Sequence, residues 1–157
     1  MYVIKEVLSA DEKSCICFAV LTKLHDWFGN EQSISEYVKG VCDKPMFGAF
    51  EDNVLIGFAS LAIHNQFTSE IYVIGVFESH HNQGVGRALI EACVEFCQNQ
   101  GTEFLTVKTL DESANYLPYE KTRLFYLSMG FCPLQVFPLF WDADNPCLLM
   151  VKYLGKV

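Results

Sequence analysis

Between His81 and Arg87 the chain reads HNQGVGR, two glycines one residue apart at the start of an apolar pattern, Val85, Leu89, Ala92 and Phe96, that recurs at helical spacing. A helix opening on glycine presents backbone N–H groups with no intrahelical acceptor and the positive end of its dipole. Gly84 and Gly86 carry no Cβ to hold an anion away, and each charge-assisted bond to such a backbone contributes about 1.5 to 3 kcal/mol. The chemistry on offer is main-chain binding of a phosphate over His81, Asn82, Gln83, Gly84, Val85 and Gly86, with Arg87 adding a positive charge nearby.

Two of the three phosphate loops that fit this description fail on the residues. The nucleoside triphosphate loop G-x-x-x-x-G-K-[ST] would need lysine where Arg87 stands and Ser or Thr where Ala88 stands. The dinucleotide fingerprint G-x-G-x-x-G needs a glycine or another small residue at Leu89. Glu103 does lie about twenty residues past Gly84, as a ribose-binding acid should, but it precedes the run FLTVKT instead of ending it.

The elements that must carry this loop are legible around it. EIYVIGVF, from Glu70, is apolar at nearly every position, as a strand covered on both faces is. The helix from Val85 stops at Gly101, and EFLTVKTL is a second strand, so 70–110 reads strand, loop, helix, strand, a crossover that requires parallel pairing within one sheet. Upstream, MYVIKEVL predicts a strand, Ser9 an N-cap for a helix running to Trp27 and Phe28, SISEYVKGV a second helix, and PMFGAFEDNVLIGFASLAIHN a hairpin turning at Glu51 to Asn53. Downstream, YEKTRLFYLSMGF reads as a short helix ending at Gly130, then strands FCPLQVF and CLLMVKYL with PLFWDADNP as the loop between them. The expected class is α/β, a mixed sheet of six to seven strands with about four helices, antiparallel strands flanking one parallel crossover, in a single domain over 1–157.

Composition bounds the partners. A chain of 157 residues, 51% hydrophobic, supports one core and no more. With eleven Lys and Arg against nineteen Asp and Glu, a broad basic face for nucleic acid is not expected. The longest apolar run, Cys15 to Leu21, is too short to span a bilayer, and acids appear too early for a signal peptide, so the expectation is a soluble cytoplasmic protein with no membrane partner. Seven cysteines contain no C-x-x-C pair, and the four histidines match no zinc spacing, so no metal is expected. Cys93 and Cys97 fall on the apolar face beside Leu89 and Phe96 and read as reduced core residues.

The third phosphate loop is [RQ]-x-x-G-x-[GA] at a helix start, the acetyl-CoA pyrophosphate motif of the GNAT superfamily of N-acetyltransferases. HNQGVG resembles it, with His81 in the Arg/Gln position. FYLSMGF resembles the family's [LF]Y-x-x-x-GF ending, and Glu70, eleven residues before His81, stands where one branch keeps its general base. YEKTRLFYLSMGF followed by LFWDADNPCLLMVKYL also looks like a group of small bacterial GNAT proteins. An Asn common in the family seven residues before the tyrosine is Tyr119 here, and the nearest, Asn115, lies eleven before it.

The resemblance implies acetyl transfer from acetyl-CoA to a primary amine by direct attack in a ternary complex, with the central parallel strands splayed for the cofactor. An alkylamine of pKa about 10.4 is neutral in roughly one molecule in 2,500 at pH 7, so a group that accepts its proton assists attack, and Glu70 is the carboxylate so placed. A phenol of pKa about 10 can protonate a thiolate of about 8.5, which makes Tyr126 the general acid. By the same resemblance, Ile74 and Val76 supply main-chain bonds to the acetyl and pantetheine groups, and Gly75 between them marks a bulge or a close ligand approach. The acceptor is a small-molecule or peptide amine near Trp27, Phe28, Tyr37, Trp141, Asp142 and Asp144, and a homodimer is compatible with the chain. The alternative is a CoA-binding sensor or interaction module of the same fold without turnover.

Overall fold

The computed structural model describes residues 1–156. Its backbone falls into two compact units, 1–63 with 71–96, and 64–70 with the chain from 97 onward.

The first unit contains β1 (Tyr2–Val7), α1 (Ala10–Leu21), α2 (Glu31–Gly40), β2 (Met46–Glu51), β3 (Val54–Ile63), most of β4 (Thr68–Val76) and most of α3 (Val85–Asn99). Ser9 caps α1 as predicted, its side chain accepting from the Glu12 N–H at 3.3 Å with Asp11 and Glu12 in the first turn. The helix ends at Leu21, short of the expected Phe28. The Thr22 hydroxyl folds back on the Phe18 carbonyl at 2.7 Å, and the N–H groups of Lys23 and Leu24 reach carbonyls only three residues behind, which tightens the last turn. Asn30, accepting from the N–H of Gln32 at 2.8 Å, starts α2 two residues earlier than the apolar pattern does. Strands β2 and β3 form the expected hairpin, and its tip, Asp52 and Asn53 at φ 49° and 65°, has the two left-handed residues of a type I′ turn. The core gathers Cys17, Val20, Leu21, Met46 and Phe58, none of them measurably exposed, each large side chain contributing about 1.5 to 3 kcal/mol by burial.

The second unit contains the start of β4, the end of α3, β5 (Phe104–Leu110), α4 (Leu117–Ser128), β6 (Cys132–Asp142) and β7 (Asn145–Tyr153). Leu105, Phe131 and Met150 are among its fully buried side chains. The expected loop between the closing strands is a correction: β6 continues through Pro138–Trp141 to Asp142. Phe137 pairs with Cys147 and Asp142 with Asn145, so Pro138–Trp141 face Pro146 alone and bulge out of register. The polar and proline residues that suggested a loop mark this bulge and the tight turn beyond it.

The hydrogen-bonded strand order is β1-β2-β3-β4-β5-β7-β6, a seven-stranded mixed sheet in which β4 and β5, joined through α3, are the parallel pair. Four α-helices accompany it among the described residues. The α/β class and its single parallel crossover are as the sequence implies.

Candidate active site

The loop from β4 into α3 belongs to the first unit. The first α-helical bond runs from the Ala88 N–H to the Gly84 carbonyl at 3.0 Å, so the N–H groups of Val85, Gly86 and Arg87 have no carbonyl of their own helix to meet. Gly84 sits at φ 83° and Asn82 at φ 61°, and these left-handed residues turn the backbone sharply into the helix. Val85 is buried and anchors that first turn, while Asn82, Gln83, Gly84 and Arg87 are exposed.

Loop side chains are engaged within the protein. His80 bridges the Glu51 carboxylate at 2.9 Å through Nε2 and Ser79 at 2.9 Å through Nδ1, partners that the sequence did not disclose. Because a carboxylate only accepts, Nε2 carries the hydrogen, and in the neutral imidazole the Ser79 hydroxyl donates to Nδ1. This bond holds the Glu51 carboxyl below its ordinary range. The Nε2–H of His81 donates to the Val76 carbonyl at 2.6 Å, and its ring stands edge-on to Trp27 with centroids 5.6 Å apart. Gln83 donates to the Ser79 carbonyl at 3.1 Å. With the side chains of His80, His81 and Gln83 tied down, the exposed parts of the loop are its backbone and the side chains of Asn82 and Arg87.

Ile74 and Val76 are half-buried on β4. A Cβ on Gly75 would lie 2.9 Å from Val20 and 3.0 Å from Leu24, so on this face the glycine admits α1 and the turn that follows it. Trp27, Phe28 and Tyr37, expected as acceptor surface, pack against the first unit's core.

Glu70 and Tyr126 lie in the second unit. Glu70 is 7% exposed, and both of its oxygens are occupied. Oε2 accepts from Lys108 Nζ at 2.9 Å, and Oε1 accepts from the same ammonium at 3.1 Å and lies 2.7 Å from His64 Nε2. The β6 bulge places the Phe140 ring 5.1 Å from the Lys108 ammonium. The acid predicted as a lone base is therefore the centre of a charged cluster. Neither His64 nor Lys108 was singled out by the sequence, although a lysine inside the otherwise uncharged FLTVKTL was a signal that a carboxylate lay beside it.

Tyr126, on α4, is 5% exposed, its ring between those of Phe125 and Phe131 with centroids at 5.5 and 5.7 Å. Its carbonyl accepts from the Phe131 N–H at 3.0 Å as α4 closes into Gly130. Tyr119 stands about two helical turns earlier on α4, its ring centroid 6.1 Å from that of Tyr116. Trp141 is exposed in the bulge, and the Asp142 carboxylate is used by the hairpin turn, accepting from Asn145 and from the Asp144 N–H at 2.9 Å. Burial pushes the Cys17 thiol up to about 12 and those of Cys97 and Cys147 to about 11, the behaviour of core residues and not of nucleophiles. Among the described residues no group of His, Cys, Asp and Glu is arranged to hold a metal ion, and no helix is long and apolar enough to cross a membrane.

A mixed sheet whose one parallel crossover is entered through a glycine-led helix is the arrangement of the acetyltransferase fold. Residues 17–131 match the model of the acetyltransferase (GNAT) family, and the chain belongs to that family. Among solved structures it is similar to a GNAT-family protein from Desulfovibrio desulfuricans, with 18% identity over 99% of this chain and 100% of the other and a TM-score of 0.83. It is also similar to the ribosomal-protein-S18-alanine N-acetyltransferase of Escherichia coli, with 16% identity over 100% and 96% of the chains and a TM-score of 0.77. A GNAT family acetyltransferase from Elizabethkingia anophelis, solved with acetyl-CoA bound, shares 19% identity over 97% of each chain at a TM-score of 0.75. At these identities the likeness is one of fold. None of the curated proteins matches the chain.

Proposed function

We propose that this chain is an acetyl-CoA-dependent N-acetyltransferase that moves an acetyl group to a primary amine by direct attack in a ternary complex. The observation that carries this reading is the α3 entrance, where Gly84 at φ 83° opens the helix and the side chains of His80, His81 and Gln83 are bonded inward. That leaves the N–H groups of Val85, Gly86 and Arg87 for the diphosphate of CoA. The acetyl carbonyl and the pantetheine arm are assigned to the main chain at Ile74 and Val76, where β4 and β5 would have to part beyond their paired segment. With Tyr119 in place of the family's asparagine, the arm is held mainly by backbone.

In the reaction the neutral amine attacks the thioester carbon, a C–N bond forms, and the C–S bond breaks. Tyr126 gives its proton to the departing thiolate, its aromatic neighbours keeping the phenol fixed. The Glu70 cluster receives the amine proton. The acceptor is a small-molecule or peptide amine, and the reaction belongs in the cytoplasm with no nucleic acid or membrane partner. The second reading, a CoA sensor of the same fold without turnover, is favoured by the occupied state of Glu70.

A thermal-shift screen with acetyl-CoA, CoA, NAD and ATP tests the binding. CoA species at a hundredfold over Kd should stabilise by about 2.7 kcal/mol, and NAD and ATP should not. Thiol release from acetyl-CoA across an amine panel then separates enzyme from sensor. Tyr126→Phe should cut kcat about a hundredfold with unchanged affinity for CoA. Absence of any shift with CoA defeats the assignment, and binding without release on any amine supports the sensor.

A further inference from the structure

Glu70 is poorly placed to take a proton itself. An ammonium spans both its oxygens, and His64 completes Oε1 at 2.7 Å, so no oxygen of this carboxylate is left without a bonded partner. A carboxylate held by an ammonium is an acceptor, which requires His64 Nε2 to carry the hydrogen. In a neutral imidazole the lone pair is then on Nδ1, an atom with no protein partner among the described residues. The His64 side chain is 46% exposed where that of Glu70 is 10% exposed, so the imidazole is the member of the pair that a substrate can reach.

The position of His64 is well determined. It directly follows β3, its N–H donating to the Thr68 carbonyl at 3.0 Å, and the Asn65 side chain closes the turn by accepting from the N–H groups of Phe67 and Thr68 at 2.8 and 3.1 Å. This turn brings His64 back to Glu70 on β4. The groups around the imidazole are Glu70 and, beyond it, Lys108 from β5 under Phe140 from β6, with the Cys147 thiol of β7 sensing both charges.

We propose that His64 is the proton acceptor of the acetyl transfer and that Glu70 is the positioning residue that fixes its tautomer. The inference rests on the acetyltransferase reading. As the amine nitrogen bonds to the acetyl carbon, its proton passes to His64 Nδ1. The C–S bond breaks, the thiolate takes the Tyr126 proton, and the imidazolium and the phenolate are restored by water, so the net change is amine plus acetyl-CoA to amide plus CoA. Lys108 stays bonded to both Glu70 oxygens, which fixes the carboxylate as the partner of the ring.

The test uses the full chain with acetyl-CoA and four acceptor probes: spermidine, tyramine, L-lysine and a tetrapeptide with a free α-amine. His64→Gln should lower kcat about a hundredfold on whichever probe is acetylated, leave KM for acetyl-CoA unchanged, and abolish the acid limb of the pH profile. In His64→Ala, added imidazole should restore part of the rate. Long-range ¹⁵N NMR should find His64 in the Nε2–H tautomer, a preference lost in Glu70→Gln. Unchanged kcat and acid limb in His64→Gln, or an Nδ1–H tautomer in the wild type, overturns this inference while leaving the acetyltransferase reading intact. No thiol release with any probe overturns both.

Discussion

The Gly75 carbonyl oxygen of β4 stands 2.8 Å from the point where a Cβ on Gly57 of β3 would lie. Real Cβ atoms do not approach backbone so closely, and the neighbour is main chain that cannot rotate away. Gly57→Ala should therefore cost about 3 kcal/mol, measured as a lower urea midpoint at unchanged slope. A loss under 0.5 kcal/mol would show that β3 and β4 can separate at this point.

At the α3 entrance the left-handed φ of Gly84 would cost an alanine about 1 to 2 kcal/mol, and its Cβ would meet the Tyr2 hydroxyl at 3.2 Å. Gly84→Ala should weaken CoA binding about tenfold by calorimetry. Gly101→Ala is the control: at φ 78° it bears a similar strain with no atom within 4 Å, and it should lose stability while keeping its affinity for CoA. Equal affinities in the two variants would detach the α3 entrance from the cofactor.

The His80–Glu51 bond predicts a pH dependence of stability. Its effect is to lower the folded-state value of the Glu51 carboxyl below the ordinary 4.5. A depressed carboxyl contributes stability above its unfolded value and loses it as pH falls through the folded one. Between pH 6 and pH 3 the Tm of the wild type should fall further than that of Glu51→Gln. Superimposable curves would mean that the histidine does not hold this loop in solution.

Cysteine burial makes a chemical prediction. At pH 8 iodoacetamide should label Cys15 and Cys132, which are exposed, and spare Cys17, Cys97 and Cys147, whose thiols are buried and raised to about 12, 11 and 11. Peptide mass spectrometry of the native protein reads this directly. Rapid labelling of Cys17 would show that the α1 face of the core opens.

Much of this protein is local and was legible in the chain. The cap at Ser9, the Asp52–Asn53 turn, the strand ahead of the glycines, and the helix that Gly84 opens each depend on backbone preferences within a few residues, so the α/β order and the candidate cradle can be read without a structure. The surroundings of Glu70 could not be. Lys108 is 38 residues away and meets Glu70 only where β5 lies beside β4, His64 returns only through the Asn65 turn, and Phe140 covers the lysine only because β6 bulges between Phe137 and Asp142. Spacing along a chain identifies a carboxylate, but which cation neutralises it and which imidazole it orients are set by strand register, and register is an outcome of packing across the sheet.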